Sequence, residues 1–374
     1  MIIMDLKMNN FFAFRNFHIN MSYPKKIVDS SIEDEFLKAR PNFRYKKVNI
    51  IMGANATGKT SIGKMLMLIF NAINKKDFTS IIEKISDKKQ EATFTMDFVA
   101  NSYKMYRIDV KFIPKADSNF QDSNTDIQIK IDAVDINMKD NYESCAIKLD
   151  SILSKKYNNN YAEELKKIES FGWFFSYPMD TAEDIPVLRC SQNENYLKIL
   201  DYTLRALDPS IKKVQQIEAV DNTYVIRMDN QDIVIQDGQV VKESILSSGT
   251  KAGIDIAYML ASISCREHGF YYCDEKFSYV HSDIEKAFLS VMIDCLQAND
   301  QLFFTTHNTD ILDLALPKHT FTFLKKDTDD NEPIKCISAS HFLKRNTDSL
   351  RNAVDNDLFS ISPNVELIYE IKNF

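Results

Sequence analysis

Eight consecutive positions constrain this chain more than any others: Gly53-Ala54-Asn55-Ala56-Thr57-Gly58-Lys59-Thr60. An apolar, β-branched run from Val48 to Met52 leads into them and reads as a buried strand. Ile62 to Phe70 leads out and reads as a buried helix. Strand, glycine loop and helix in that order form the context in which Gly-x-x-x-x-Gly-Lys-Thr cradles a polyphosphate. Gly53 and Gly58 let successive backbone N–H groups face the anion, and the helix N-terminus adds partial positive charge. The residue types assign the rest: Lys59 to the β- and γ-phosphates, Thr60 to Mg²⁺, and Asn55 and Ser61 to the phosphate-facing loop and first turn.

Glycine is scarce, 8 in 374 residues. Six of them (Gly53, Gly58, Gly63, Gly249, Gly253 and Gly269) lie in or beside turns that phosphate binding would use. The net charge of −7 argues against a protein that coats DNA but leaves room for a local basic groove. Six cysteines without a Cys-x-x-Cys pair read as reduced thiols rather than a zinc site. Apolar runs are too short to span a bilayer and the N-terminus lacks a signal-peptide layout, so a cytoplasmic protein without a membrane partner is expected.

Ahead of the loop, Ile2 to Met21 alternates apolar and polar residues and reads as a hairpin, followed by a polar excursion over 23–44. Ala92 to Ile113 alternates again, with Asn101-Ser102 as its turn, and Ile127 to Ile136 adds a strand. Tyr161 to Ser170 reads as a short helix. Tyr196 to Leu207 puts four leucines on one helical face, and Val214 to Val241 returns to strands about Asp237-Gly238. No heptad pattern is sustained, which argues against a long coiled-coil arm.

Four features then follow in order. Leu246-Ser247-Ser248-Gly249-Thr250 precedes an apolar helix from Ile254 to Cys265; on its own Ser247 would serve equally as an N-cap. Gly269 to Cys273 is an apolar strand ending in Asp274-Glu275. Asp274 then stands at a strand tip as a Mg²⁺ ligand, and Glu275 beside it is placed to deprotonate water. His281 precedes a helix from Ile284 to Leu296. Gln301 to Thr306 is a strand ending at His307, whose imidazole would hydrogen-bond the γ-phosphate or the water.

This ordered set resembles the ATPase heads of the ABC superfamily, in the branch holding the SMC, RecF and Rad50 proteins. Within it, the chain is most similar to the bacterial abortive-infection and OLD-type (AAA-15-like) ATPases of anti-phage defence. Asn10-Phe11 to Phe14 resembles their opening strand, residues 53–60 their Walker A, and 246–250 their signature in a Ser-Ser-Gly-Thr form. Cys273-Asp274-Glu275 with His281 resembles Walker B and the D-loop, and Thr305-Thr306-His307 the switch histidine. Leu204 to Ile211 and the tail Leu350 to Pro363 resemble the same abortive-infection group. Two departures stand out: no glutamine is assignable to a Q-loop, and Phe12 stands where Rad50-like heads can carry a phosphate-binding arginine.

The resemblance implies an α/β fold: a P-loop head with a mixed central sheet, an antiparallel β subdomain and a helical subdomain. The expected divisions are 1–115 and 245–345 for the ATPase lobe, 116–244 for an inserted subdomain and 346–374 for a tail packed on the head. It also implies ATP and Mg²⁺ as cofactors, and hydrolysis with Glu275 and His307 as catalytic residues. A homodimer follows, in which Ser247 and Gly249 of one copy complete the ATP site of the other. The stretch after His307 is too short for a Toprim nuclease domain. A separate nuclease or toxin effector, as in PARIS-type systems, and a phage-encoded trigger are therefore expected. The alternative is a RecF- or Rad50-like repair ATPase binding DNA ends or gaps.

Overall fold

The computed structural model describes the chain except residues 28–29, 101–102, 116–124, 153–155, 179–193, 218–219, 221–222, 230, 237–238, 241–247, 328–332, 346–347, 362–364 and 374. In chain order the N-terminal elements are β1 (Ile2–Asn9), β2 (Phe17–Asn20), β3 (Phe36–Leu37), β4 (Arg40–Arg44), β5 (Val48–Gly53), α1 (Lys59–Lys75) and α2 (Thr79–Ile82). Next come β6 (Ala92–Val99), β7 (Lys104–Pro114), β8 (Thr125–Asp135), α3 (Tyr142–Ser151), α4 (Tyr161–Leu165), β9 (Phe174–Ser176) and α5 (Glu194–Leu207). Then follow β10 (Ile211–Gln216), β11 (Thr223–Met228), β12 (Asp232–Gln236), β13 (Gln239–Val240), α6 (Ser248–Ser264), β14 (Phe270–Asp274) and α7 (Ser282–Cys295). The chain closes with β15 (Gln301–Thr305), β16 (Phe321–Lys326), β17 (Ile334–Ser338), α8 (Ala339–Phe342), α9 (Leu350–Asp355) and α10 (Glu366–Glu370).

The central sheet runs β17-β16-β5-β15-β14-β9. All its pairs are parallel except β16 with β17. Strands buried on both faces are mostly apolar, as β5, β14 and β15 are; their buried polar residues Asn49, Asp274, Gln301 and Thr305 are each hydrogen-bonded. Their alternation splits the core in two. Ile50, Met52, Tyr271, Cys273, Leu302 and Phe304 pack with residues of α6 and α7. Ile51, Phe270, Tyr272 and Phe303 point the other way and share a core with α1. The helix after the glycine loop and the helix that begins at Ser248 therefore lie on opposite faces of one sheet.

A five-stranded antiparallel sheet, β2-β1-β6-β7-β8, closes over α1. Its inward residues, among them Leu6, Met96, Val110 and Ile129, join the α1 core. The expected hairpins Ile2–Met21 and Ala92–Ile113 form here, while the Asn101-Ser102 turn lies outside the described residues. β8 pairs with β7 over eleven residues, so this strand of the 116–244 stretch belongs to the same sheet as the N-terminal strands. A third sheet, β10-β11-β12-β13, packs with α5 in the α6–α7 core; its Asp237-Gly238 turn is outside the described residues. Among the described residues no helix is long and apolar enough to cross a membrane.

Two expectations need correction. The helix read from Ile254 starts at Ser248, because Thr250 and Ala252 are already buried inward-facing positions of its first turns. The helix read over Tyr161 to Ser170 stops at Leu165, and a turn then brings Ile168 back into the core. Between that helix and α5 lies β9, which extends the central sheet beside β14.

α1 meets the sheet through a close contact at Gly63. A Cβ there would fall 2.5 Å from the Tyr272 ring, and the Tyr272 hydroxyl donates to the Lys59 carbonyl at 2.7 Å. In a solvated helix Gly→Ala stabilises by about 1 kcal/mol. At Gly63 the sign reverses: Gly63→Ala is expected to lower unfolding free energy by about 1–3 kcal/mol, read from urea melts. A stabilised variant would show that α1 does not sit against Tyr272.

Candidate functional site

The glycine loop leaves β5 at the carboxyl edge of the sheet and curls through two left-handed residues, Ala56 (φ 61°) and Gly58 (φ 96°). Gly58 is confined as well as twisted, since a Cβ would meet the Phe14 ring at 2.9 Å. Phe14, from the turn between β1 and β2, is fully buried and so props the loop from beneath. Gly53 lies against β16, where a Cβ would stand 2.6 Å from the Leu324 carbonyl. Thr57 closes the turn by donating to the Ala54 carbonyl at 2.9 Å. The first helical bond of α1 runs from the Ile62 N–H to the Gly58 carbonyl. Among the described residues, the N–H groups of 55–61 have no protein acceptor, leaving a concave set of donors at a helix N-terminus.

Lys59 is 4% exposed, and its ammonium is folded back over the loop. It donates to the carbonyls of Gly53 (2.8 Å) and Ala54 (3.1 Å) and lies 3.3 Å from Glu275 Oε1. Burial lowers its pKa, opposed by the charges of Glu275 and Asp274. Thr60 and Ser61 occupy the first turn of α1 as half-buried residues, and Asn55 is exposed on the loop.

The parallel register brings the second half of the site to the same edge. Asp274 stands opposite Thr305, and Thr305 opposite Ile51, two residues before the loop begins. Thr305 is central here. Its hydroxyl donates to Asp274 Oδ1 at 2.6 Å and accepts from the Glu275 N–H at 3.0 Å. Asp274 is fully buried, and among the described residues its Oδ2 has no hydrogen-bond partner. Burial holds its pKa above the ordinary range, with the Thr305 hydrogen bond and the nearby Thr60 hydroxyl pulling the other way. Glu275 takes a left-handed backbone (φ 46°), an uncommon conformation for this residue, which turns its side chain from the strand toward Lys59. Its Oε1 lies 2.8 Å from His307 Nε2. Burial acts to raise the Glu275 pKa, but the His307 hydrogen bond and the Lys59 charge together bring it below the usual carboxylate value.

Thus Lys59, Asp274, Glu275 and His307 meet at one place. The signature residues are not among them: Ser247 lies outside the described residues, and Gly249 is the second residue of α6, a helix on the opposite face of the sheet. Thr250 is buried and donates to Asp208 at 3.1 Å, and Gly253 leaves room for Leu207, so this turn is anchored to α5 and the segment after it. His281 caps α7, accepting the Asp283 N–H at Nδ1 (3.2 Å). β9 delivers Tyr177, whose carbonyl accepts from Lys276 at 2.6 Å; residues 179–193 lie outside the described set.

Sequence reasoning missed Thr305 and Tyr272. Tyr272 was legible as the inward position of an alternating strand, but its bond to Lys59 depends on how α1 crosses that strand. The donor set fits Mg²⁺: a buried carboxylate oxygen without a partner beside a threonine hydroxyl is an oxygen site that a hard cation would complete.

For an acid raised by burial, stability is fully present below the unfolded pKa of about 3.9 and lost as pH rises through the folded value. At neutral pH the lone Asp274 charge is therefore a cost. Asp274→Asn is expected to stabilise the metal-free protein at pH 7 by about 1–3 kcal/mol and to remove the rise in melting temperature that MgCl₂ gives the wild type. Equal MgCl₂ responses in both proteins would exclude Asp274 as a ligand.

No protein-family model matches this sequence, and no curated protein matches it. Solved structures do. The SMC head bound to the C-winged helix domain of ScpA aligns with TM-score 0.55 at 12% identity, over 92% of this chain and 100% of that one. The SMC head domain with an extended coiled coil bound to the C-terminal domain of ScpA, from Pyrococcus furiosus, aligns with TM-score 0.51 at 11% identity, over 96% and 99%. Identity this low speaks to architecture alone, and the architecture is clear: the chain has the α/β fold of the SMC ATPase head.

Proposed function

We propose that this chain is an ATP-binding and hydrolysing head of the ABC/SMC type, and that ATP joins two copies of it. The observation that carries this reading is the convergence of Lys59, Asp274, Glu275 and His307 beside backbone N–H groups that have no acceptor among the described residues. Gly53, Asn55, Gly58 and Ser61 shape or line the phosphate cradle. Lys59, held near its target by two carbonyls of its own loop, exchanges them for phosphate oxygens. Thr60 and Asp274 would hold Mg²⁺, which when bound supplies charge neutralisation on the phosphates. Glu275 remains ionised and takes the proton of the attacking water, and His307 orients that carboxylate.

Gly249 and α6 lie across the sheet from α1, so a signature turn that touches ATP does so from a second copy. Ser247 and Gly249 would then meet the γ-phosphate of the partner's ATP, and dimerisation becomes a switch set by hydrolysis. The motif resemblance extends the proposal one step: the switch holds or releases a separate effector, a nuclease or toxin, in response to a phage-linked trigger. Nucleic acid as the partner is the competing outcome of the same experiment.

Lys59→Ala is expected to abolish ATP binding in equilibrium titrations. Glu275→Gln should retain ATP, lose turnover by about 10²–10⁴-fold and sediment as a dimer only with ATP and Mg²⁺. A monomer under those conditions would refute the two-copy site. Purified from its host with ATP, Glu275→Gln should carry a stoichiometric protein partner that Lys59→Ala lacks; nuclease-sensitive nucleic acid in its place would favour the repair reading.

A further inference from the structure

The amino end of the central sheet, remote from the glycine loop, holds a cavity of about 450 Å³ between β2 and the β16–β17 edge. This is the size of small-molecule sites. Lys46, the second residue before β5, lines it and is 6% exposed. Lys47 and the five strand residues Val48 to Met52 separate Lys46 from Gly53, and no residue of the glycine loop lines the cavity, so this is not the phosphate loop.

Among the described residues, Lys46 is a buried cation without an ion-pair partner, and the acceptor of its ammonium is the Ser338 hydroxyl, at 3.4 Å. Burial brings its pKa down to about 8, and no carboxylate opposes the shift. His341, also on the cavity, is shifted down by burial and by the nearby charges of Lys46 and Lys25. Thr322, 2% exposed, lines the same cavity with a hydroxyl that has no partner. Glu143, from α3, carries a buried Oε2 likewise without a partner. Buried polar groups are normally satisfied, and a buried charge is normally paired. Two orphaned oxygens and an uncompensated ammonium around one cavity are the complement of an absent molecule. That molecule brings an anion to Lys46 and hydrogen-bond donors to Glu143.

We propose that this cavity binds a small hydroxyl-bearing phosphate monoester, its phosphate on Lys46 with Lys25, His341, Ser338 and Thr322 around it and a hydroxyl on Glu143. The site is independent of the ATPase reading, because it shares no residue with the glycine loop.

The probes are ribose 5-phosphate and inorganic phosphate, titrated calorimetrically into the full chain. Wild type and Lys59→Ala should bind ribose 5-phosphate alike, and Lys46→Met should weaken it at least tenfold, about 1.4 kcal/mol. Glu143→Gln should weaken ribose 5-phosphate and leave inorganic phosphate unchanged. Lys46→Met removes an uncompensated charge, so it should melt no lower than wild type; if it does not fold, Thr322→Val and His341→Gln provide the same comparison. Binding that disappears in Lys59→Ala but survives in Lys46→Met, or no binding of either probe by about 10 mM, would overturn the proposal.

Discussion

The parallel register of β5, β15 and β14 is the constraint on which the rest depends. Three strands side by side, each apolar on both faces, are stable only between two layers, and they deliver their carboxyl ends to one edge. Because Asp274 stands level with Thr305, and Thr305 with Ile51, the residues that follow each strand emerge together. These are the glycine loop, Glu275 and His307. A slip of one residue in β14 would send Asp274 to the other level and reverse the faces of Tyr272 and Cys273.

That register also sets the electrostatics. Asp274 is ionisable but fully enclosed, and Lys59 is nearly so, while Glu275 is partly open and bridged by Lys59 and His307. The same burial that raises the Asp274 pKa lowers that of Lys59, and only the contacts of Glu275 reverse the trend. A site built in this way is under tension without ligand: one carboxylate oxygen has no partner, and the loop lysine satisfies itself on carbonyls of its own turn. On the proposed reading, a polyphosphate with a divalent cation would relieve both features.

The two ends of β5 contrast instructively. At the carboxyl end, backbone N–H groups and a lysine face a concave turn; at the amino end, Lys46 and hydroxyls face an open-mouthed cavity between two sheets. The first is announced by a motif, since the backbone geometry needs glycine at fixed places. The second has no local signature. Its walls come from β2, α3, β16 and β17, far apart in sequence, and no spacing rule connects them.

Much of the fold was legible because it rests on local pattern. The strand–loop–helix at 48–75, the hairpins of the antiparallel sheet and the strands ending at Asp274 and Thr305 each follow from alternation or from glycine placement. The order of the motifs likewise named the residues that meet: Lys59, Asp274, Glu275 and His307. What the sequence could not determine is which strands become neighbours. β9 carries only three strand residues and gave no periodic signal, yet it forms the sheet edge beside β14. Thr305 reads as one polar residue at a strand end; it becomes the hinge of the site because β15 lies between β5 and β14. Tyr272 reads as core, and the crossing of α1 at Gly63 makes it a hydrogen-bond donor to Lys59. Local sequence determined the elements and the ionisable groups at their ends. Parallel pairing, which joins residues hundreds of positions apart through long crossovers, decided what surrounds each group and so what each can do.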